Sequence, residues 1–272
     1  MIRASLLDML RCIKCNGALR QIQVDAIRCV SCGVAYPVEG GFPAIQPDEY
    51  RPVVDVYRSI CNEFSMLESL KVGEVYPVGR YVMDLRLEKF NRTFVGRIRS
   101  AFPGRAKVLD IGCSSGIFSR RLADRGLHVY GIDILHEILS VNASLSKDHI
   151  DSGMMELAVA NGLKLPFADG SFQGVCCLET LEHTKEPNRM LSEMMRVLKP
   201  GGILYLTTPV RDTMALLHSM RKILQGVMGH KEVFDKLANN ADIDFYNETG
   251  DEKKIFFHEH EFEFKELKDI LR

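Results

Sequence analysis

Lys107-Val-Leu-Asp-Ile-Gly-Cys-Ser-Ser-Gly-Ile-Phe118 is the stretch that decides the fold. Val108, Leu109 and Ile111 form a short apolar run of the kind buried on both faces of a parallel sheet. Gly112 and Gly116 then open a turn, where a missing Cβ lets the backbone bend sharply or a ligand approach it closely. Phe118 to Gly126 reads as a helix, with Gly126 at its C-cap. Strand, glycine turn and helix make the first unit of a doubly wound α/β sheet, whose ligands bind at such turns. The next strand, His128-Val-Tyr-Gly-Ile-Asp133, ends in a carboxylate 23 residues beyond Asp110. An acid at roughly 20 residues is placed to grip ribose hydroxyls, so the site expects a nucleoside. The dinucleotide fingerprint G-x-G-x-x-G is not met, because Ser114 takes the middle-glycine position.

Three blocks downstream extend the pattern: Leu165-Pro-Phe-Ala-Asp-Gly-Ser-Phe172, Leu178-Glu-Thr-Leu-Glu-His183 and Arg196-Val-Leu-Lys-Pro-Gly-Gly202. With Asp110-x-Gly112-x-x-x-Gly116 they resemble, in register over residues 107 to 209, the motifs of the class I S-adenosylmethionine (SAM) methyltransferases. The resemblance implies a Rossmann-like sheet and SAM held by Asp110, Gly112, Ser114, Gly116, Asp133 and Asn161. Asn161 stands where that family often has an aspartate against the adenine amino group, and its side-chain oxygen can still accept a hydrogen bond.

The chain has 272 residues, enough for one large domain and a small one with a sizeable core. A formal net charge of −1 gives no global electrostatic case for nucleic acid. No apolar run is long enough to span a membrane, and Arg3 and Asp8 interrupt the first ten residues, so no signal-peptide core forms. The expectation is a cytoplasmic protein without a membrane partner.

Residues 1–48 make the first unit. Cys12-Ile-Lys-Cys15 and Cys29-Val-Ser-Cys32 are two C-x-x-C knuckles, and four thiolates close a tetrahedral structural zinc site. Leu19 to Val24 and Ala26 to Cys29 alternate as a hairpin would. So small a unit would draw much of its folding energy from the metal. Leu6 to Cys15, Cys32 to Val38 and Gly41 to Ile45 resemble the zinc ribbon of the tRNA-methyltransferase activator family, with Ile13 in place of its usual proline. The ribbon either packs on the catalytic domain or helps to recognise substrate.

Residues 49–106 read as a helical linker or cap, with Pro47 to Pro52 as the connection, helices over 53–70 and 81–100, and Tyr76, Arg80 and Tyr81 as substrate-facing candidates. The basic run Arg86, Lys89, Arg92, Arg97, Arg99, Arg105 and Lys107 is a solvated face or an RNA contact. Residues 107–272 are the SAM-binding domain. Strands are expected at 157–160, 175–178 and 202–207, with Cys176 and Cys177 in the core. Glu179, Glu182 and His183 follow the fourth of them, on the side where such sheets bind ligands. Two carboxylates and an imidazole can hold a divalent ion. The E-x-x-E-H pattern resembles the metal site of the ubiquinone-biosynthesis and small-RNA 2′-O-methyltransferases. There Glu259-His-Glu-Phe-Glu-Phe264 would nominate His260 as a further ligand of a second metal. The alternative is a metal-free pocket in which His183, or His260, serves as base.

Helices are expected at 214–224 and 262–271. No sequence is left for the last two strands that the class I resemblance implies, so either the chain is shortened, the sheet has five strands, or a homo-oligomer or partner chain covers the open edge. Together these readings give a methyltransferase that acts on oxygen or nitrogen of a small molecule or RNA. The alternative function is a SAM-binding, non-catalytic assembly partner that uses its zinc ribbon for protein contacts.

Overall fold

The computed structural model describes residues 2–63 and 85–208. Tyr76, Arg80, Tyr81, His260 and the helices expected over 214–224 and 262–271 lie outside the described residues. A short helix α1 (Ala4–Met9) leads into four strands, β1 (Leu19–Gln23), β2 (Ala26–Cys29), β3 (Ala35–Glu39) and β4 (Phe42–Ile45). Helix α2 (Arg51–Glu63) follows, and residues 85–90 continue as helix through a π turn at Asn91–Val95 into α3 (Gly96–Ala101).

The larger half alternates as the sequence predicts. Strand β5 (Lys107–Ile111), α4 (Ile117–Ala123), β6 (His128–Asp133), α5 (His136–Leu145), α6 (Lys147–Asp151) and β7 (Met155–Ala160) come first. Then come β8 (Phe172–Leu178), α7 (Pro187–Val197) and β9 (Leu198–Thr207). Strand order β7-β6-β5-β8-β9, parallel throughout, is that of a Rossmann-like doubly wound sheet. Strands β5 to β8 are mostly buried because helices cover both faces, and every residue of β7 is buried.

The first unit does more than pack against this sheet. Strands β1 to β4 form an antiparallel meander, and β4 then pairs in parallel with β7, Ala44 opposite Val159 and Ile45 opposite Ala160. The described strands thus make one nine-stranded sheet. The side chains follow suit: one hydrophobic core holds Leu6, Leu10 and Ile27 together with Leu109, Ile111 and Phe172. The open edge that β7 would otherwise present is covered in cis.

Residues 85–101 lie across the other end. Phe90 packs on Phe118 and Tyr205 at ring-centroid distances of 5.1 Å each, and Phe94 on Tyr205 at 5.5 Å. The basic run on this helix splits accordingly. Arg86 turns inward to Glu179 at 3.0 Å, while Arg92, Arg97 and Arg99 face solvent.

Candidate cofactor and acceptor site

The glycine turn lies at the C-terminal ends of β5 and β6. Asp110 is buried on β5, where Ser119 Oγ donates to one carboxylate oxygen at 2.5 Å and Cys176 Sγ donates to the other at 3.5 Å. Burial pushes the Asp110 carboxyl up to about 6 despite these donors. Asp133 is half-buried at the end of β6. It accepts from the backbone N–H of Ser114 at 3.1 Å and of Leu135 at 3.2 Å. Burial raises it to about 6 as well.

Gly112 and Gly116 have positive φ of 68° and 82°, and Ser114, the serine in the glycine slot, adopts a φ of 46°. The left-handed turn is therefore present, stabilised at Ser114 by Asp133. The space left by the two glycines, however, is filled by the protein itself. A Cβ on Gly112 would lie 2.3 Å from Thr180 Oγ1, and one on Gly116 would lie 2.2 Å from Asn142 Oδ1. Asn142, fully buried on α5, also donates from Nδ2 to the Ser114 carbonyl at 3.1 Å. Sequence reasoning passed over Asn142 and Thr180. The available signal was a polar residue on the apolar side of α5, between Leu139 and Leu145.

Asn161 stands just past β7 with its side-chain oxygen accepting from the Leu163 N–H at 2.9 Å. The parallel register brings Asp110, Gly112, Ser114, Gly116, Asp133 and Asn161 to one end of three adjacent strands. A half-buried acid beside a left-handed turn of backbone suits a nucleoside whose ribose hydroxyls donate, so these residues fit the cofactor that the motif implies.

Glu179, Glu182 and His183 lie at the same end of β8, but each is engaged separately. Glu179, at a φ of 50°, pairs with Arg86. Glu182 is buried and accepts from Thr208 Oγ1 at 3.0 Å. The His183 ring meets Tyr57 of α2 edge-on at 6.1 Å, and Tyr57 Oη donates to the His183 carbonyl at 3.2 Å. Among the described residues these three do not bring their ligand atoms together as a metal group, and His260 lies outside them.

The four cysteines do come together. Cys12, Cys15, Cys29 and Cys32 place all four Sγ atoms within 4.8 Å of one another, with Cys12 to Cys32 at 3.6 Å and Cys15 to Cys29 at 3.5 Å. None is in a disulfide. A tetrahedral zinc–thiolate centre has sulfur–sulfur edges of roughly 3.8 Å, from bonds of about 2.3 Å. The backbone N–H groups of Cys32 and Ser31 point at Cys29 Sγ at 3.5 and 3.4 Å and draw its thiol down to about 6. The set fits a closed four-thiolate metal site.

Residues 109–206 match the sequence model described as "Methyltransferase domain". The ubiquinone biosynthesis O-methyltransferase of Hahella chejuensis is 37% identical over 128 residues, 45% of this chain and 50% of that protein. Its namesake from Xanthomonas campestris pv. campestris is 35% identical over 116 residues, 40% of this chain and 45% of that protein. The chain thus spans about half the length of the curated relatives it matches. Among solved structures, the phosphoethanolamine N-methyltransferase 2 of Haemonchus contortus in complex with S-adenosyl-L-methionine is 28% identical. It covers 43% of this chain and 28% of its own, with a TM-score of 0.38. By sequence, residues 109–206 are thus similar to a methyltransferase domain, and their strands lie within a parallel, Rossmann-like sheet. No helix among the described residues is long and apolar enough to cross a membrane.

Proposed function

We propose that the chain is a SAM-dependent methyltransferase that methylates an oxygen of a small molecule, with a structural zinc ion in its N-terminal ribbon. The observation that carries the reading is the pairing of Asp133 with the Ser114 N–H, which joins the left-handed turn after β5 to the acid that ends β6. The names of the Hahella and Xanthomonas relatives support oxygen as the acceptor atom and a small molecule as the substrate.

SAM supplies an electrophilic methyl group on a sulfonium, so the protein has to align and desolvate rather than activate the donor. Asp133 would accept from the ribose hydroxyls, while the turn from Gly112 to Gly116 holds the backbone against the cofactor. Asn142 and Thr180 brace that turn from behind. His183, steadied by Tyr57, is the proposed base for the acceptor hydroxyl, and His260 the second candidate. The Arg86–Glu179 pair and the aromatic cluster of Phe90, Phe94 and Tyr205 would cover the acceptor side and exclude water.

Calorimetric titration with S-adenosylhomocysteine tests the cofactor site. We expect binding to the wild type and a loss of roughly 10- to 100-fold in Asp133→Ala, the size of a charge-assisted hydrogen bond. Asp133→Asn, which still accepts from Ser114, should fall in between. No binding to the folded, zinc-replete chain would sink the proposal. Metal analysis should find one zinc per chain, lost in Cys12→Ser. RNA retention on filters that weakens steeply with salt would instead point to an RNA substrate.

A further inference from the structure

We infer that Tyr36 is a positioning residue of the metal site: its hydroxyl donates a hydrogen bond to the Cys12 thiolate and holds that sulfur toward the ion. The inference rests on the zinc reading above and deepens it.

Burial carries the first step. The four cysteines are not equivalent. Cys15 and Cys32 are exposed, whereas Cys12 and Cys29 are only 2% and 1% exposed. Four thiolates around a divalent ion leave a net negative charge. Water can answer it on the exposed side, but on the buried side only protein donors can. Cys29 Sγ accepts from the backbone N–H groups of Ser31 and Cys32 at 3.4 and 3.5 Å. Cys12 Sγ faces the backbone N–H groups of Lys14 and Cys15, and it lies 3.1 Å from Tyr36 Oη. Among the described residues, Tyr36 is the one side chain other than cysteine that hydrogen-bonds to any of the four sulfurs.

Direction carries the second step. A free thiol could donate to the hydroxyl or accept from it. A metal-bound sulfur has lost its proton and can only accept, so Tyr36 is the donor. The Ile13 backbone N–H faces the Tyr36 oxygen, which leaves the hydroxyl proton for the sulfur. The ring is held in place. Strand β3 alternates so that Ala35 and Pro37 are exposed and Tyr36 points inward, opposite Ile27 of β2. Tyr36 shares its core with Leu6, Leu10 and Ile45. A tyrosine buried in this way needs a partner for its hydroxyl, and the Cys12 sulfur supplies it.

The test compares the wild type with Tyr36→Phe and with Tyr130→Phe, using the full chain loaded with zinc or with cobalt(II). Tyr130 is a buried tyrosine of the same core, on β6. Tyr36→Phe should hold zinc roughly 10- to 100-fold more weakly in competition with a chelator, the usual cost of losing a partner of a metal ligand. Its sulfur-to-cobalt charge-transfer band should move to longer wavelength, because the Cys12 sulfur no longer shares its charge with a donor. Tyr130→Phe should leave both readings where the wild type has them. Wild-type affinity and an unmoved band in Tyr36→Phe overturn the inference, and so do equal losses in the two variants. One reading needs no variant. In the zinc-loaded wild type the Tyr36 hydroxyl proton should exchange slowly enough with water to give its own proton resonance, lost on chelation. Free exchange in the zinc form overturns the inference. Failure of the wild type to bind zinc or cobalt removes the zinc reading itself, which is a separate result.

Discussion

A methyl group added at position 116 asks for something different from the same methyl added at 126. Both glycines have positive φ, 82° and 79°. A Cβ at 126 meets nothing within 4 Å, whereas one at 116 runs into Asn142. Gly126→Ala should therefore cost only the left-handed backbone penalty, about 1 kcal/mol. Gly116→Ala should add overpacking, for a total of about 3 kcal/mol. Denaturant melts of the two variants check the difference, and equal losses would mean that Asn142 moves aside freely. The sequence identifies the turn correctly but leaves it to a ligand to explain the glycines; their Cβ space belongs to Thr180 and Asn142, and no local pattern says so. Asp110 offers a second residue-scale check. Its carboxyl is raised from 3.8 to about 6 by burial, so the folded state holds its proton more tightly than the unfolded chain does. The stability it contributes is present below pH 3.8 and is lost as pH rises toward 6. Asp110→Asn removes that dependence. Relative to the wild type, the variant should gain up to about 3 kcal/mol between pH 4 and pH 7. Urea melts at the two pH values measure the shift, and an unchanged difference would show that Asp110 does not titrate in this range.

Strands β5 to β8 are legible because each is an apolar run followed by a turn or helix signal, and burial on both faces leaves no other use for it. Strand β4 is legible only as part of the ribbon. Phe42-Pro-Ala-Ile45 is short, contains a proline and pairs with residues far along the chain, so nothing local announces that it extends the large sheet. The role of α2 was hidden for a similar reason. Its pattern says helix, but its contacts are set by distant partners: Arg58 pairs with Glu137 of α5 at 2.6 Å, and Tyr57 reaches His183. Tyr57→Phe keeps the ring against the imidazole and deletes one donor to the His183 carbonyl. The expected loss is about 1 kcal/mol of stability. Amide exchange should accelerate in residues 181–184 and stay unchanged in β5 and β6. Uniform acceleration across the sheet would mean that the hydroxyl supports the fold as a whole rather than the segment carrying the candidate base.

At the scale of the molecule, the sequence divides into a ribbon over 1–48, a helical linker or cap over 49–106 and a larger unit over 107–272, and the described residues of the first and last share a sheet and a core. That difference has a measurable consequence for the metal. If the ribbon were an independent module, removing a zinc ion bound at its four cysteines would unfold it alone and leave the rest to melt where it did before. Leu6, Leu10 and Ile27 are buried in the same cluster as Leu109, Ile111 and Phe172, however, and β4 closes the edge of β7. Melting the ribbon would expose that shared apolar surface and open a strand edge in the cofactor-binding sheet. Zinc bound only by the folded state stabilises whatever folds with it. Calorimetric melts should therefore show one transition with zinc, and one transition lowered by roughly 5–15 °C after chelation or in Cys12→Ser, given about 2–4 °C per kcal/mol for a chain of this size. S-adenosylhomocysteine should raise the same transition. Two transitions after chelation, with the upper one unmoved and still responsive to the ligand, would show that the common sheet does not make the two halves one cooperative unit.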